Sequence, residues 1–241
     1  MTVVDKAVLV TGANRGIGQA LVEEALRRGA RRVYAGARRP FAHPDGRVEV
    51  LTLDITDPEQ IAQAVEQVES LDLLINNAGL GLSEDLSDRA VLEQHLAVNL
   101  FGTFSVTQAF LPLLKRSRGA ILNISTLAAF AAVPVLPAYS VSKAAAFSLT
   151  LAQRALLAGD GVRVHAVLAG PADTDMTRDL EIPKFAPELL ARGVFDGFEN
   201  GEDEIFPDPF SASLADGWRN GVAKALERQN AMMLNAPSGT A

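Results

Sequence analysis

The chain has 241 residues, of which 48% are hydrophobic, and it carries a net charge of −7 and no cysteine. It can therefore bury a sizeable core, while disulfides and thiolate chemistry are excluded outright. The acidic balance argues against a nucleic-acid or anionic-membrane surface. The start has no signal peptide of the usual pattern, and no uninterrupted apolar stretch reaches the roughly 18–20 residues of a spanning helix. A soluble cytoplasmic protein with no membrane segment is expected.

Ala7-Val8-Leu9-Val10 is a short apolar run of the kind that forms a buried parallel strand. Glycines follow, and Ile17–Arg28 then reads as an amphipathic helix stopped at Gly29. Arg32–Ala35 and Val48–Leu53 are the next strands, and Pro58 starts a helix running to about Val68. Asp72–Ile75 reads as a strand, Ala90–Leu114 as a long helix, Ala120–Ile124 as a strand, Tyr139–Ala158 as a helix and Val162–Val167 as another strand. Strands separated by helices of this length predict a doubly wound, Rossmann-like α/β fold with a parallel sheet covered on both faces. With no repeat and no linker, residues 1–241 read as a single domain. Its least regular part spans about 173–210, and the run Glu199-Asn200-Gly201-Glu202-Asp203-Glu204 within it reads as a solvated turn. Ala212–Leu226 reads as a last helix, and the tail after Asn235 as loose.

Two features carry chemistry. Thr11-Gly12-Ala13-Asn14-Arg15-Gly16-Ile17-Gly18 lies between the first strand and the first helix, where glycines let the backbone approach a pyrophosphate. Tyr139 and Lys143 lie four apart on a predicted helix and so share one face. A nearby ammonium favours the phenolate and lowers the phenol's pKa, which fits Tyr139 for general acid–base work. Each feature alone also suits an ordinary glycine turn or an ordinary surface helix.

Together with Asp54, Asn76-Asn77-Ala78-Gly79, Asn99 and Gly170–Thr174 in the same order, these residues resemble the short-chain dehydrogenase/reductase family in its single-domain form. The resemblance implies an oxidoreductase that interconverts a ketone or aldehyde and an alcohol. Tyr139 would be the acid, Lys143 the residue that holds the nicotinamide ribose and lowers the pKa of Tyr139, and Asn99 the anchor of a proton-relay water. Gly12, Asn14, Arg15, Gly16, Ile17 and Gly18 would cradle the dinucleotide. Asp54 and Ile55 would meet its adenine, Asn77, Ala78 and Gly79 its ribose and nicotinamide side, and Gly170 and Thr174 its carboxamide. The family's usual serine, about thirteen residues before the Tyr, falls on Thr126, with Ser125 beside it as the alternative. Ala169 stands where relatives usually have Pro.

After the second strand, Ala37 occupies the position of an NAD-binder's acid, and Arg38 follows with Arg15 near the same corner. Two guanidiniums and no carboxylate predict NADP(H). His43, His95 and His165 lack metal-ligand spacing, so no metal is expected. Met176, Leu180, Ile182 and Phe185, with Val133, Val135 and Leu136, would line an apolar pocket for a small aryl or apolar carbonyl or alcohol. A homodimer or homotetramer pairing through Ala90–Leu114 and Tyr139–Ala158 is implied by the resemblance. The same fold and cofactor serving epimerisation or dehydration, and a non-catalytic NADP(H)-binding protein, are the alternatives.

Overall fold

A computed structural model describes residues 1–234. Seven parallel strands form one sheet: β1 Ala7–Thr11, β2 Arg32–Ala37, β3 Val48–Thr52, β4 Leu73–Asn76, β5 Ala120–Thr126, β6 Arg163–Ala169 and β7 Glu204–Ile205. Their spatial order is β3-β2-β1-β4-β5-β6-β7, the doubly wound arrangement that the strand–helix alternation predicts. The chain reverses its winding between β1 and β4, and ligands bind in the crevice beyond the carboxyl ends of the strands at such a point.

Alternate residues of each strand face opposite layers. Val8, Val10, Val33, Ile75, Leu122 and Val167 point to one side, where they meet α1 (Gly16–Arg27). Leu9, Leu51, Leu74, Ile121 and Val164 point to the other, against α2 (Pro58–Gln67). Asp57 caps α2 by accepting from the Glu59 and Gln60 amides, with Pro58 at its first position.

The long helix expected over Ala90–Leu114 is three segments end to end: α3 (Arg89–Leu96), a π-helical turn (Ala97–Gly102) and α4 (Thr103–Ser117). The whole stretch of 29 residues is long and apolar enough to cross a membrane by composition alone. Val106, Phe110, Leu113 and Leu114 bury its apolar side in the second core instead. The next helix, α5, spans Pro137–Leu157 and begins with Pro at its first position.

Residues 173–210 are more regular than their composition suggests. They contain α6 (Pro187–Glu199), whose Val194, Phe195 and Phe198 join the α1 side of the core, and they end near β7. The reading of Glu199–Glu204 as a solvated turn is wrong at both ends: Glu199 closes α6 and pairs with Arg28 at 2.7 Å. Glu204 is buried in β7, its carboxylate held by Arg154 at 2.5 Å and Lys224 at 2.9 Å. Local composition could not show this, because both partners lie far along the chain.

The expected last helix is broken into α7 (Pro209–Ala212), α8 (Ala215–Arg219) and α9 (Val222–Ala231). Asn220-Gly221 separates the last two, and a side chain at Gly221 would meet the Gly217 carbonyl at 2.7 Å. The tail after Asn235 lies outside the described residues.

Candidate active site

The two loops at the switch point are locked together before any ligand is considered. Thr11 Oγ1 accepts from the Asn77 and Ala78 amides, each at 3.0 Å, and the Asn77 side-chain amide donates to the Thr11 and Gly12 carbonyls at 2.9 and 3.2 Å. Gly12 and Gly16 have φ of +66° and +56°, which an L side chain resists. Gly18 has no room for a methyl: a Cβ there would lie 2.0 Å from the Gly12 carbonyl oxygen. Arg15 is the N-cap of α1 but gives it no side-chain cap, and no acid sits in the first turn. The chain thus forms a glycine cradle facing an uncapped helix N-terminus, which suits a pyrophosphate.

The other expected cofactor residues gather around this cradle to different degrees. Thr174 packs its methyl over Gly16, although the two lie far apart in sequence. Asn14 and Arg15 are exposed and Ile17 is half-buried. Asp54 uses Oδ1 to accept from the Thr56 amide and hydroxyl at 2.9 and 2.7 Å, leaving Oδ2 without a partner among the described residues. Ile55 is buried against Gly102, so its side chain faces the core and only its backbone is available. Arg38 is exposed beyond buried Ala37, and Arg15 pairs with Asp175 at 2.5 Å. Gly170 donates its amide to Asp208 Oδ2 at 2.8 Å, and a side chain at this position would collide with that carboxylate.

Across the crevice, α5 and the π turn bring together the proton-transfer candidates. Lys143 is buried and donates from Nζ to the Ile124 carbonyl at 3.0 Å, with Nζ 5.8 Å from the centre of the Tyr139 ring. Asn99 sits in the π turn. Its Oδ1 accepts from the Leu80 amide, and its Nδ2 donates to the Leu80 carbonyl and to Ser142 Oγ, all at 2.8 Å. Ser142 Oγ in turn donates to the Tyr139 carbonyl at 2.7 Å. Gly79 lies between Asn99 and Lys143: a Cβ there would be 3.2 Å from Asn99 Oδ1 and 3.7 Å from Lys143 Nζ.

The electrostatics correct one expectation. Desolvation pushes the Tyr139 phenol up to about 12 and the Lys143 ammonium down to about 8. Burial therefore outweighs the lowering that the ammonium was expected to impose on the phenol.

Thr126 ends β5 half-buried, and its Oγ1 accepts from the Ala128 amide at 3.3 Å. Its own hydroxyl hydrogen remains available to donate. Ser125 is buried on the opposite face of the strand, and its Oγ has no hydrogen-bond partner among the described residues.

Among the apolar residues expected over the pocket, Met176 comes up to Gly81, the same glycine that Tyr139 approaches. Its Sδ would lie 2.9 Å from a Cβ on Gly81, and Tyr139 Cδ2 would lie 3.5 Å from the same point. Phe185 does not line the pocket. It pairs with Ala172 and packs on Ala169 and Leu190, because the Phe185 backbone bridges to Pro171 and Asp173 and turns the ring inward.

Sequence reasoning missed three contributors: Ser142, Asp208 and His95. His95 is fully buried, with its ring edge-on to Tyr139 at a centroid distance of 6.5 Å. Its place four residues before Asn99, on the same helix face, was the available signal.

Comparison with known proteins identifies the family. The family profile described as short chain dehydrogenase matches residues 6–184. The chain is 35% identical over 204 residues to 2,3-dihydro-2,3-dihydroxybenzoate dehydrogenase of Escherichia coli (strain K12), covering 81% of each protein. It is 34% identical over 219 residues to estradiol 17-beta-dehydrogenase 2 of Mus musculus, covering 83% of this chain but 57% of the mouse protein's length. Among solved structures, a short chain dehydrogenase from Burkholderia cenocepacia J2315 in complex with NADP matches with a TM-score of 0.87 at 38% identity, over 95% of this chain and 98% of that one. A short-chain dehydrogenase from Streptomyces avermitilis matches with a TM-score of 0.79 at 25% identity, over 96% and 98%. The chain belongs to the short-chain dehydrogenase family.

Proposed function

We propose that this protein is an NADP(H)-dependent oxidoreductase interconverting a ketone or aldehyde and an alcohol, with Tyr139 as general acid and base. The observation that carries the reading is the convergence of Tyr139, Lys143 and Asn99 opposite a glycine cradle at the switch point of the sheet.

The dinucleotide, when bound, supplies or accepts the hydride. Gly12, Gly16 and Gly18 would hold its pyrophosphate, Asp54 its adenine, and Gly79, Gly170 and Thr174 its nicotinamide side. Buried Ala37 offers no carboxylate to a ribose hydroxyl, while exposed Arg38 and Arg15 suit a 2′-phosphate. The NADP held by the Burkholderia relative supports the same choice.

In reduction, Tyr139 donates its phenolic proton to the substrate oxygen while Thr126 donates a hydrogen bond to that oxygen. The high pKa of Tyr139 keeps this proton in place across neutral pH. Lys143 holds positive charge beside the phenolate that forms. Both amide hydrogens of Asn99 are already donated, so its side chain has none left for a relay water, which would be held by the backbone of the π turn.

Exposed Leu82, Val133, Val135, Met176 and Ile182 favour a small apolar or aryl substrate. Exposed Phe101, Phe104, Val141 and Leu156 on the π turn, α4 and α5 suit pairing of copies into a homodimer or homotetramer.

A panel of ketones, aldehydes and alcohols followed at the NADPH absorbance, with both dinucleotides, tests the reading. Tyr139→Phe should abolish turnover yet leave NADPH binding nearly unchanged. Full activity in Tyr139→Phe, or no turnover of any carbonyl by the wild type, would overturn it.

A further inference from the structure

His95 is fully buried, yet the proton transfer described above does not use it. Both its ring nitrogens are committed. Nδ1 lies 2.8 Å from the Val91 carbonyl and must donate to it, so that nitrogen carries the hydrogen. Nε2 is then the acceptor, and it takes the Leu82 amide hydrogen at 3.0 Å. One helical turn later, Asn99 grips the Leu80 amide and carbonyl. The two side chains thus fasten the three residues Leu80-Gly81-Leu82 to the α3–π-turn face at both ends.

This short segment forms a wall of the substrate site. Its middle residue, Gly81, lies beside both the edge of the Tyr139 ring and the sulfur of Met176, so a methyl there would push the Met176 side chain aside. Leu82 carries an exposed apolar side chain next to it. A shift of the segment would therefore change how far Met176 closes and where a substrate lies against Tyr139. The glycine turn after β1 and the Lys143–Ile124 hydrogen bond lie on other elements.

We infer that His95 is a positioning residue that sets substrate fit: by accepting from the Leu82 amide it fixes the Leu80–Leu82 wall beside Tyr139 and Met176. The inference rests on the oxidoreductase reading above for its kinetic consequence, and on the hydrogen bonds alone for its structural one.

The experiment has two arms on the full-length protein. In the first, amide hydrogen exchange at Leu82 is measured in wild type, His95→Leu and His95→Gln. Leucine removes the acceptor, whereas glutamine can place an amide oxygen where Nε2 was. Exchange at Leu82 should be about tenfold faster in His95→Leu, the loss expected of one hydrogen bond, and within about twofold of wild type in His95→Gln. Should His95→Leu not fold, His95→Asn, whose shorter amide cannot span to Leu82, takes its place with the same expectation.

In the second arm, acetophenone reduction by NADPH is followed. His95→Leu should raise KM for the ketone several-fold more than it lowers kcat, with the Kd for NADPH unchanged and His95→Gln restoring KM. Unchanged Leu82 exchange in His95→Leu, or a His95→Gln as defective as His95→Leu, overturns the role of His95. Absence of turnover of acetophenone and of every other carbonyl in the wild type overturns the functional reading instead, and leaves the exchange arm to decide the positioning role.

Discussion

Asp175 Oδ2 accepts from Arg15 Nη1 at 2.5 Å, while Arg178 holds the other oxygen of the same carboxylate. The glycine turn and the segment bearing Met176 are thus tied through one aspartate. Under the proposed cofactor assignment, a 2′-phosphate and Asp175 compete for the same guanidinium. Asp175→Asn should therefore tighten NADPH binding. Both side chains are substantially exposed, at 64% and 45%, and such pairs contribute about 0.2–1 kcal/mol, so the gain should be no more than about fivefold. Titration of NADPH by its fluorescence at low and high salt reads this directly. Weaker or unchanged binding in Asp175→Asn at low salt would count against the competition.

Arg38 has no ion-pair partner among the described residues and follows a position without a carboxylate. Its removal should cost affinity only for the dinucleotide that carries a 2′-phosphate. Arg38→Ala is expected to weaken NADPH binding by about ten- to a hundredfold, the range of one charge-assisted hydrogen bond, and to leave NADH binding within about twofold. Equal losses for both dinucleotides would remove Arg38 from the phosphate corner.

The opposite shifts of Tyr139 and Lys143 give the pH dependence a sign. In the cofactor-free protein Lys143 loses its proton near pH 8, while Tyr139 keeps its own to about pH 12. The kcat/KM for NADPH reports groups of the free enzyme. It should fall as pH rises through about 8, because the ammonium is the form that holds ribose hydroxyls and steadies a phenolate. No fall due to Tyr139 is expected between pH 6 and 10. A profile flat across that range would contradict the assignment of Lys143.

The parts of the site set by short spacing were legible in the sequence. Tyr139 and Lys143 share a face because they are one turn apart, and Gly12, Gly16 and Gly18 follow the first strand directly. The parallel sheet followed from apolar runs separated by helices. Contacts that close over long distances were not legible. Asp208 reaches Gly170 across 38 residues, and Glu204 reaches Arg154 across 50. No local pattern distinguishes a glutamate that will find an arginine from one left in water. The π turn around Asn99 was hidden for a different reason: its register differs from an α-helix by one residue, too little for hydrophobic periodicity to reveal. The shift of Tyr139 was misjudged because spacing shows the neighbouring charge but not the burial that outweighs it.

Glu204 supplies the last prediction. Its carboxylate faces Arg154 and Lys224, Glu227 faces the same two cations at 2.6 and 2.7 Å, and Asp203 lies 3.6 Å from Lys224, so three acids and two cations close a network linking α5, β7 and α9. Removing one member of a buried pair typically destabilises by about 3–5 kcal/mol. Glu227 remains in Glu204→Gln, so a loss near the lower end, about 3 kcal/mol, is expected. In a chain of this size that corresponds to a drop of roughly 6–12 °C in the unfolding midpoint at neutral pH. Desolvation raises the pKa of Glu204, but attraction to Arg154 and the hydrogen bond from Lys224 outweigh it and hold the folded value below the ordinary 4.5. The unfolded chain therefore takes up this proton first as pH falls. The ionised carboxylate contributes its full stability above pH 4.5 and loses it as pH drops through the folded value. Thermal unfolding of wild type and Glu204→Gln between pH 7 and pH 3 should accordingly give midpoints that are well separated at pH 7 and converge in acid. A separation that stays constant down to pH 3 would mean that Glu204 acts through packing, not through its charge.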